Sequence, residues 1–317
     1  MRKTLLWNWT KFLGVVTVLT VSAHVFLSLS KHSAGPDPLP EEEYRLISPL
    51  TYQYLLNQPD VCRDRSPFLV LLVPVAPQEA AARDAVRRSW GSAARDVLTL
   101  FYAGLPPSGP QSRLQRALVE ESKLHADIIQ MNFMDNYQNL TIKTMMMMKW
   151  TATYCSSASY AMKVDADIFV NVYYLIQRLR SSPRLGFITG SLIRDGTPRR
   201  DPQSKWYLAE EQYPESSFPP YVSGAGYVFS TDLASRISWA SRFVRMIHLE
   251  DAYVGLCLRV LGVRPVYSYD LFLRNLFEIQ NLAYDRCSFA RLVIANGFPP
   301  RELLHAWQDF AKGHASC

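Results

Sequence analysis

The sequence predicts an α/β domain with a central, mainly parallel sheet, preceded by one N-terminal transmembrane helix. Three observations carry this. Short apolar runs of strand length alternate with helix-forming stretches over the middle of the chain. The first run, Phe68-Leu-Val-Leu-Leu-Val-Pro-Val75, is continuous rather than alternating, as expected of a strand covered on both faces. And Phe12–Leu29, 18 residues, contains no Asp, Glu, Lys or Arg.

At roughly 1.5 Å per residue a helix over Phe12–Leu29 spans about 27 Å, close to the ~30 Å of a bilayer core. Trp7 and Trp9 suit the interface before it. Arg2, Lys3 and Lys11 precede it and only Lys31 follows closely, so the positive-inside rule keeps the N-terminus cytoplasmic and the remainder lumenal. This makes residues 1–11 a cytoplasmic tail and 12–30 an uncleaved signal anchor. The competing reading is a cleaved signal peptide, for which Ser22-Ala23 offers a weak site. Residues 31–61, with Pro36, Pro38, Pro40 and the triplet Glu41–Glu43, read as an extended stem. A globular domain then fills 62–317.

Within that domain the strand over 68–75 leads into a helix over Gln78–Trp90 that stops at Gly91. A second strand is expected at Val97–Tyr102, a helix at Gln111–His125 and a third strand at Asp127–Met131. Leu140–Cys155 follows as a helix. Its four consecutive methionines, Met145–Met148, point around the axis, which favours core packing over a soft-metal cluster. Tyr160–Val164 is the next strand. In parallel sheets ligands bind beyond the carboxyl ends of strands, so the residues after Val164 become the candidate site.

The net charge of +6 excludes little until it is divided. The first 31 residues hold four basic and no acidic side chains, and residues 32–60 carry an excess of four acids. What remains is a mildly basic domain without a Lys/Arg stripe, which disfavours nucleic acid as a partner. No GxGxxG and no GxxxxGK[ST] is present, so neither a dinucleotide fingerprint nor a P-loop is available. Five cysteines (Cys62, Cys155, Cys257, Cys287, Cys317) have no zinc spacing. In a lumenal domain some should pair, with 15 possible ways to draw two bridges. Asn139-Leu-Thr141 is a glycosylation sequon.

Asp165-Ala-Asp167 follows the strand at Val164 directly. In extended chain residues i and i+2 face one side, so both carboxylates can meet one hard cation such as Mg²⁺ or Mn²⁺ beside a diphosphate. A plain turn with Asp side chains bonding their own backbone is the alternative. Other stretches extend the pattern in order: Arg83-Asp-Ala-Val-Arg-Arg-Ser-Trp-Gly91, Asp135-Asn-Tyr-Gln-Asn-Leu-Thr-Ile-Lys-Thr144, Lys163-Val-Asp-Ala-Asp-Ile-Phe-Val-Asn171, Lys205-Trp-Tyr207, Tyr221–Ser230 and Glu250-Asp-Ala-Tyr-Val-Gly255 with Cys257. This ordered set, over about residues 62–311, resembles the β-1,3-galactosyltransferase and β-1,3-N-acetylglucosaminyltransferase family of Golgi type II glycosyltransferases (glycosyltransferase family 31).

The resemblance implies a GT-A, Rossmann-like nucleotide-diphospho-sugar transferase domain, a UDP-sugar donor, a glycan acceptor, Mn²⁺ and inversion at the anomeric carbon. It assigns Asp167 as the direct metal ligand and Asp165 to the donor ribose or the outer metal shell. Lys163 belongs with the donor site. Arg83, Arg87 and Arg88 are candidates for the uridine or diphosphate, and the family's basic pattern favours Arg83 and Arg88. Glu250 and Asp251 are the candidate general bases, Asp251 preferred on the Tyr-Val-Gly-Leu-Cys-Leu continuation. Gly224 and Gly226 allow close backbone approach at donor or acceptor, or form a turn before a strand at Tyr227–Ser230. Trp206 and Tyr207 either stack on a sugar or pack in the core. Asn296 stands where relatives carry a His that can complete the metal site. The expected activity is transfer of galactose from UDP-galactose to a 3-hydroxyl in the Golgi lumen. The alternatives are N-acetylglucosamine transfer, or a weakly active relative that binds UDP-sugar or a partner enzyme. Homo- or hetero-oligomers are compatible with this reading.

Overall fold

The computed structural model describes residues 52–63, 66–267 and 282–317. The tail, the signal anchor and all but the last part of the stem lie outside the described residues. Among the described residues no helix is long and apolar enough to cross a membrane.

Among the described residues ten strands and eight helices follow one another. They are β1 (Tyr54–Leu56), β2 (Leu69–Pro74), α1 (Ala80–Arg87), β3 (Val97–Leu105), α2 (Arg113–His125), β4 (Ile128–Met134), α3 (Leu140–Tyr154), β5 (Tyr160–Val164), β6 (Ile168–Val170), α4 (Val172–Leu179), β7 (Ile188–Ile193), β8 (Tyr221–Ser230), α5 (Asp232–Ala240), α6 (Glu250–Val260), β9 (Val266–Tyr267), α7 (Arg286–Phe289), β10 (Ile294–Asn296) and α8 (Pro300–Gly313). Eight strands form one sheet in the order β1-β4-β3-β2-β5-β8-β7-β9, and β10 pairs with β6. The centre, β4-β3-β2-β5, is parallel, and β8 turns the sheet antiparallel against β5 and β7. The sheet is therefore mixed and mostly parallel, as the alternation of strands and helices predicts. Strand β1 precedes Cys62, so the sheet takes in residues that the sequence places in the stem.

The unbroken apolar run of β2 has a simple cause. Leu69, Leu71 and Val73 enter one core layer and Val70 and Leu72 the other. Successive side chains point to opposite faces, and both faces are covered. One layer contains Met145–Met148 of α3 together with residues of α5 and α6. All four methionines are at most 2% exposed, so the soft-metal alternative falls and core packing stands. The other layer holds α1, α4 and α8, with Phe169 ringed by Phe289, Phe298, Trp307 and Phe310.

Helix starts follow their caps. Ser112 accepts from the Gln115 amide at the start of α2, Asn171 from Tyr174 at α4 and Asp285 from Ser288 at α7. Helix α2 ends on Ala126 with φ 52°, the left-handed stop. Two disulfides resolve the open pairing question: Cys62–Cys155 and Cys287–Cys317, with Cys257 free and buried. The first closes a sequence separation of 93 residues and the second one of 30. Bridges of this kind contribute about 2–5 kcal/mol and belong to oxidising compartments.

Candidate active site

The parallel strands β2, β3, β4 and β5 all end on one side of the molecule, and the charged residues gather there. β5 delivers Lys163 and then Asp165, two residues apart on one face of an extended chain. β8 runs antiparallel beside it, with Val164 opposite Gly226 and Lys163 opposite Tyr227. The Asp165 amide donates to the Ala225 carbonyl at 3.1 Å. Gly224 and Gly226 thus lie inside a continuous strand, and the alternative of a turn before a strand at Tyr227 is corrected. A Cβ on Gly224 would lie 2.5 Å from Glu250 Oε1, whereas one on Gly226 would meet the Ile294 side chain at 3.3 Å, a tight contact that a small shift of that side chain relieves. Gly224 is the position where a side chain has no room.

Helix α6 brings Glu250 and Asp251 to the same place in its first turn. Asp251 is partly exposed. Its Oδ2 accepts from the Gly224 amide at 3.0 Å and its Oδ1 from the Ala252 amide at 2.8 Å. Its pKa lies above the ordinary carboxylate value because burial outweighs these two backbone bonds. Glu250 is buried at 7% exposure. Its Oε2 accepts from the Thr144 hydroxyl at 3.0 Å and the Tyr227 hydroxyl at 3.3 Å. Its Oε1 lies 3.1 Å from Lys163 Nζ, an ion-pair contact outside hydrogen-bonding direction. Burial lifts Glu250 to about 7 against the opposing pull of Lys163.

Lys163 is 5% exposed and therefore sits below the site rather than in it. Its ammonium donates to Asp165 Oδ1 at 2.8 Å and to the Gly224 carbonyl. Burial alone would lower its pKa, but Asp165 and Glu250 together hold it above the ordinary lysine value. Asp167 is exposed. Partial desolvation and then the neighbouring Asp165 charge raise its pKa.

The D-x-D turn is pinned from two sides that the sequence does not announce. The Trp90 indole donates to the Ile168 carbonyl at 2.9 Å. Strand β10 pairs with β6 so that Asn296 faces Ile168, and the Phe298 amide donates to the Asp167 carbonyl at 2.8 Å. Asn296 therefore lies against the turn that carries Asp167. It also lines a cavity of about 740 Å³ with Phe298, Arg301, Glu302 and His305.

Behind the site a second ion pair is fully enclosed. Lys143 Nζ lies 2.7 Å from Asp135 Oδ1, both side chains under 5% exposed, and Asp135 also accepts from the Gly104 amide. Burial lowers the Lys143 pKa and Asp135 opposes this. Thr141 of the sequon donates to the Ile247 carbonyl, and the Asn139 amide nitrogen donates to the Met134 carbonyl. Tyr137 and Trp206 are exposed at the edge, 41% and 38% respectively. Burial, then Asp251 and Glu250, raise the Tyr137 pKa while a Trp206 hydrogen bond opposes them. Tyr137 is a site-edge residue that carried no role in the sequence pattern.

The arginines depart from expectation. Arg83 is 1% exposed. Its guanidinium makes a bidentate pair with Glu121 at 2.8 and 2.7 Å and donates to the carbonyls of Ala76 and Pro77. Arg87 is likewise bidentate to Asp127 at 2.7 and 2.8 Å. With their donors engaged inside the protein, neither is presented to a diphosphate. Arg88 sits on the solvent face of α1, 3.2 Å from Asp84 one turn back. The expected donor role of Arg83 is thus corrected, since it holds the β2–α1 loop from inside the fold, while Arg88 is exposed and pairs with Asp84 on the surface.

The donor set is compatible with a hard divalent cation completed by substrate. Asp167 is exposed, and Asp165 has one oxygen on Lys163 while Oδ2 has no hydrogen bond among the described residues. Among the described residues no group of three His, Cys, Asp or Glu is arranged to hold a metal ion by itself. One or two carboxylates plus phosphate oxygens is a normal coordination for Mg²⁺-like ions.

The family model described as galactosyltransferase matches residues 81–268. Beta-1,3-galactosyltransferase 2 of Homo sapiens is 40% identical over 274 residues, covering 84% of this chain. The chain spans 64% of the length of that relative. Beta-1,3-galactosyltransferase 1 of Mus musculus is 40% identical over 281 residues, covering 86% of this chain and 83% of the relative. Among solved structures, the galactosyltransferase LgtC with donor and acceptor sugar analogues aligns at TM-score 0.38 and 14% identity, over 78% of this chain and 95% of that one.

Proposed function

The chain belongs to the galactosyltransferase family, and from that premise we propose that it is an inverting β-1,3-galactosyltransferase with a GT-A fold. Galactose passes from UDP-galactose to the 3-hydroxyl of a terminal sugar on a protein or lipid glycan. The enzyme works in the Golgi lumen, anchored by residues 12–30. The observation that carries this reading is the placement of Asp251. Two backbone amides orient its carboxylate at a partly exposed position, next to the turn that bears Asp165 and Asp167.

In this reading Asp251 is the general base. It takes the proton of the acceptor 3-hydroxyl as that oxygen bonds to the anomeric carbon. The bond from that carbon to the β-phosphate oxygen breaks, and its electron pair leaves with UDP. A single displacement from the opposite face inverts the configuration. Asp251 suits the role better than Glu250, whose carboxylate is buried and shared among Thr144, Tyr227 and Lys163. Asp167 and Asp165 would hold Mn²⁺, with the amide oxygen of Asn296 as a neighbouring donor. When bound, the ion supplies charge neutralisation of the diphosphate leaving group. Tyr137 and Trp206 offer exposed rings to the acceptor sugar.

The experiment is an assay of the purified full chain with UDP-galactose and UDP-N-acetylglucosamine, Mn²⁺ and a glycan array. A β-1,3-galactosylated product supports the proposal. Transfer of N-acetylglucosamine alone changes the donor. UDP binding without product from any donor identifies a non-catalytic relative, the reading favoured by an amide at Asn296 beside Asp167.

A further inference from the structure

Two of the site's carboxylates and one backbone carbonyl converge on one ammonium. Lys163 Nζ contacts Asp165 Oδ1 at 2.8 Å, Glu250 Oε1 at 3.1 Å and the Gly224 carbonyl. Gly224 in turn donates its amide to Asp251 Oδ2 at 3.0 Å. Asp165, on the donor side, is thereby joined to Asp251, on the acceptor side, through one lysine and one glycine. The ammonium donates to Asp165 and the Gly224 carbonyl and meets Glu250 as an ion pair. Glu250 fixes the ammonium from below and leaves no space for a side chain at Gly224. Both Lys163 and Glu250 are buried, so neither is presented to a substrate.

We propose that Lys163 is a positioning residue that sets the separation between the Asp165–Asp167 turn and Asp251, with Glu250 as its anchor, and that it does not bind the nucleotide. The inference rests on the transfer reading above. A flexible stem ending in a point charge can meet partners in three directions, which a planar guanidinium cannot do. Without the ammonium, the β5–β8 ladder persists but the Gly224 carbonyl loses its side-chain tie to Lys163, and the base moves relative to the donor. Displacements of about 1 Å from a productive geometry can cost on the order of 100-fold in rate.

The test compares the full wild-type chain with Lys163→Met and with the double variant Lys163→Met/Glu250→Gln. In Lys163→Met, kcat falls about 100-fold while the donor KM and the UDP affinity from calorimetry change less than about threefold. Mn²⁺ affinity, followed by electron paramagnetic resonance without nucleotide, is not weakened, because Asp165 has lost a competing cation. The double variant removes the uncompensated buried carboxylate, so it regains melting temperature but stays as slow as the single variant. UDP affinity that falls in step with kcat assigns the ammonium to the nucleotide and overturns the inference. Recovery of kcat together with melting temperature in the double variant reduces Lys163 to charge balance and also overturns it. A wild-type kcat in Lys163→Met refutes the inference alone, whereas a wild-type chain that forms no product refutes the transfer reading and the inference with it.

Discussion

The acidic edge around Asp165, Asp167 and Asp251 and the basic group on α1 are built from similarly dense charge, yet they end up in opposite conditions. On α1, Arg83 and Arg87 meet Glu121 and Asp127 inside the fold, and the four charges balance. At the edge, four carboxylates (Asp165, Asp167, Glu250 and Asp251) stand near one lysine, Lys163, which pairs with Asp165 and Glu250 alone, and Asp167 faces solvent. The excess of carboxylate is what a cation and a proton-bearing acceptor can use. A charged motif becomes structural when the chain supplies its counter-charge and remains available when it does not.

Substitutions divide along the same line. The largest stability effect falls on the balanced side. Arg83→Met leaves Glu121 with an uncompensated share of buried charge and costs about 3–5 kcal/mol in urea unfolding; a loss under 1 kcal/mol would show that the pair is dispensable. On the open side, Asp167→Ala leaves stability nearly unchanged but reduces Mn²⁺-dependent turnover by about 100-fold to 1,000-fold. Equal turnover with and without that carboxylate would remove it from the site.

Glu250 tests the boundary between the two through pH. Its pKa is raised from 4.5 to about 7 in the folded state, so the folded chain holds a proton that the unfolded chain releases. The stability this provides is complete below about pH 4.5 and is lost as pH rises through about 7. Glu250→Gln flattens the melting temperature across that interval, and an unchanged slope assigns it to another group. The smallest effect belongs to the surface. Arg88→Ala shifts stability by no more than about 0.5 kcal/mol and leaves UDP affinity unchanged, as expected of an exposed pair. A large loss of UDP affinity there would bear out its donor role.

Much of this was legible in the chain. Both faces of β2 are covered, hence its unbroken apolar run. The D-x-D pair follows β5 directly, and a strand places Lys163 and Asp165 on one face. Glu250 and Asp251 open a helix, as their charge at an N-terminus indicates. What was not legible depended on distant partners. The counter-charge of Arg83 lies 38 residues away, across the α1–α2 packing. Asn296 meets the D-x-D turn only because β10 pairs with β6 across more than a hundred residues of chain. Trp90 stood in the same motif as the arginines, and it is the indole that reaches the turn. For the glycines of β8 the sequence left two readings, close backbone approach or a turn, because Gly-x-Gly serves both. Here Gly224 is required by space, since Glu250 occupies the volume a side chain would need.

The central claim, that Asp251 is the base of a UDP-galactose transfer, is tested most directly by comparing wild type and Asp251→Asn in the full chain. Asparagine keeps the shape and still accepts from one backbone amide, but it cannot take the acceptor proton. The account predicts a kcat lower by about 100-fold to 10,000-fold with UDP affinity within about threefold of wild type. Turnover by Asp251→Asn at the wild-type rate would contradict it.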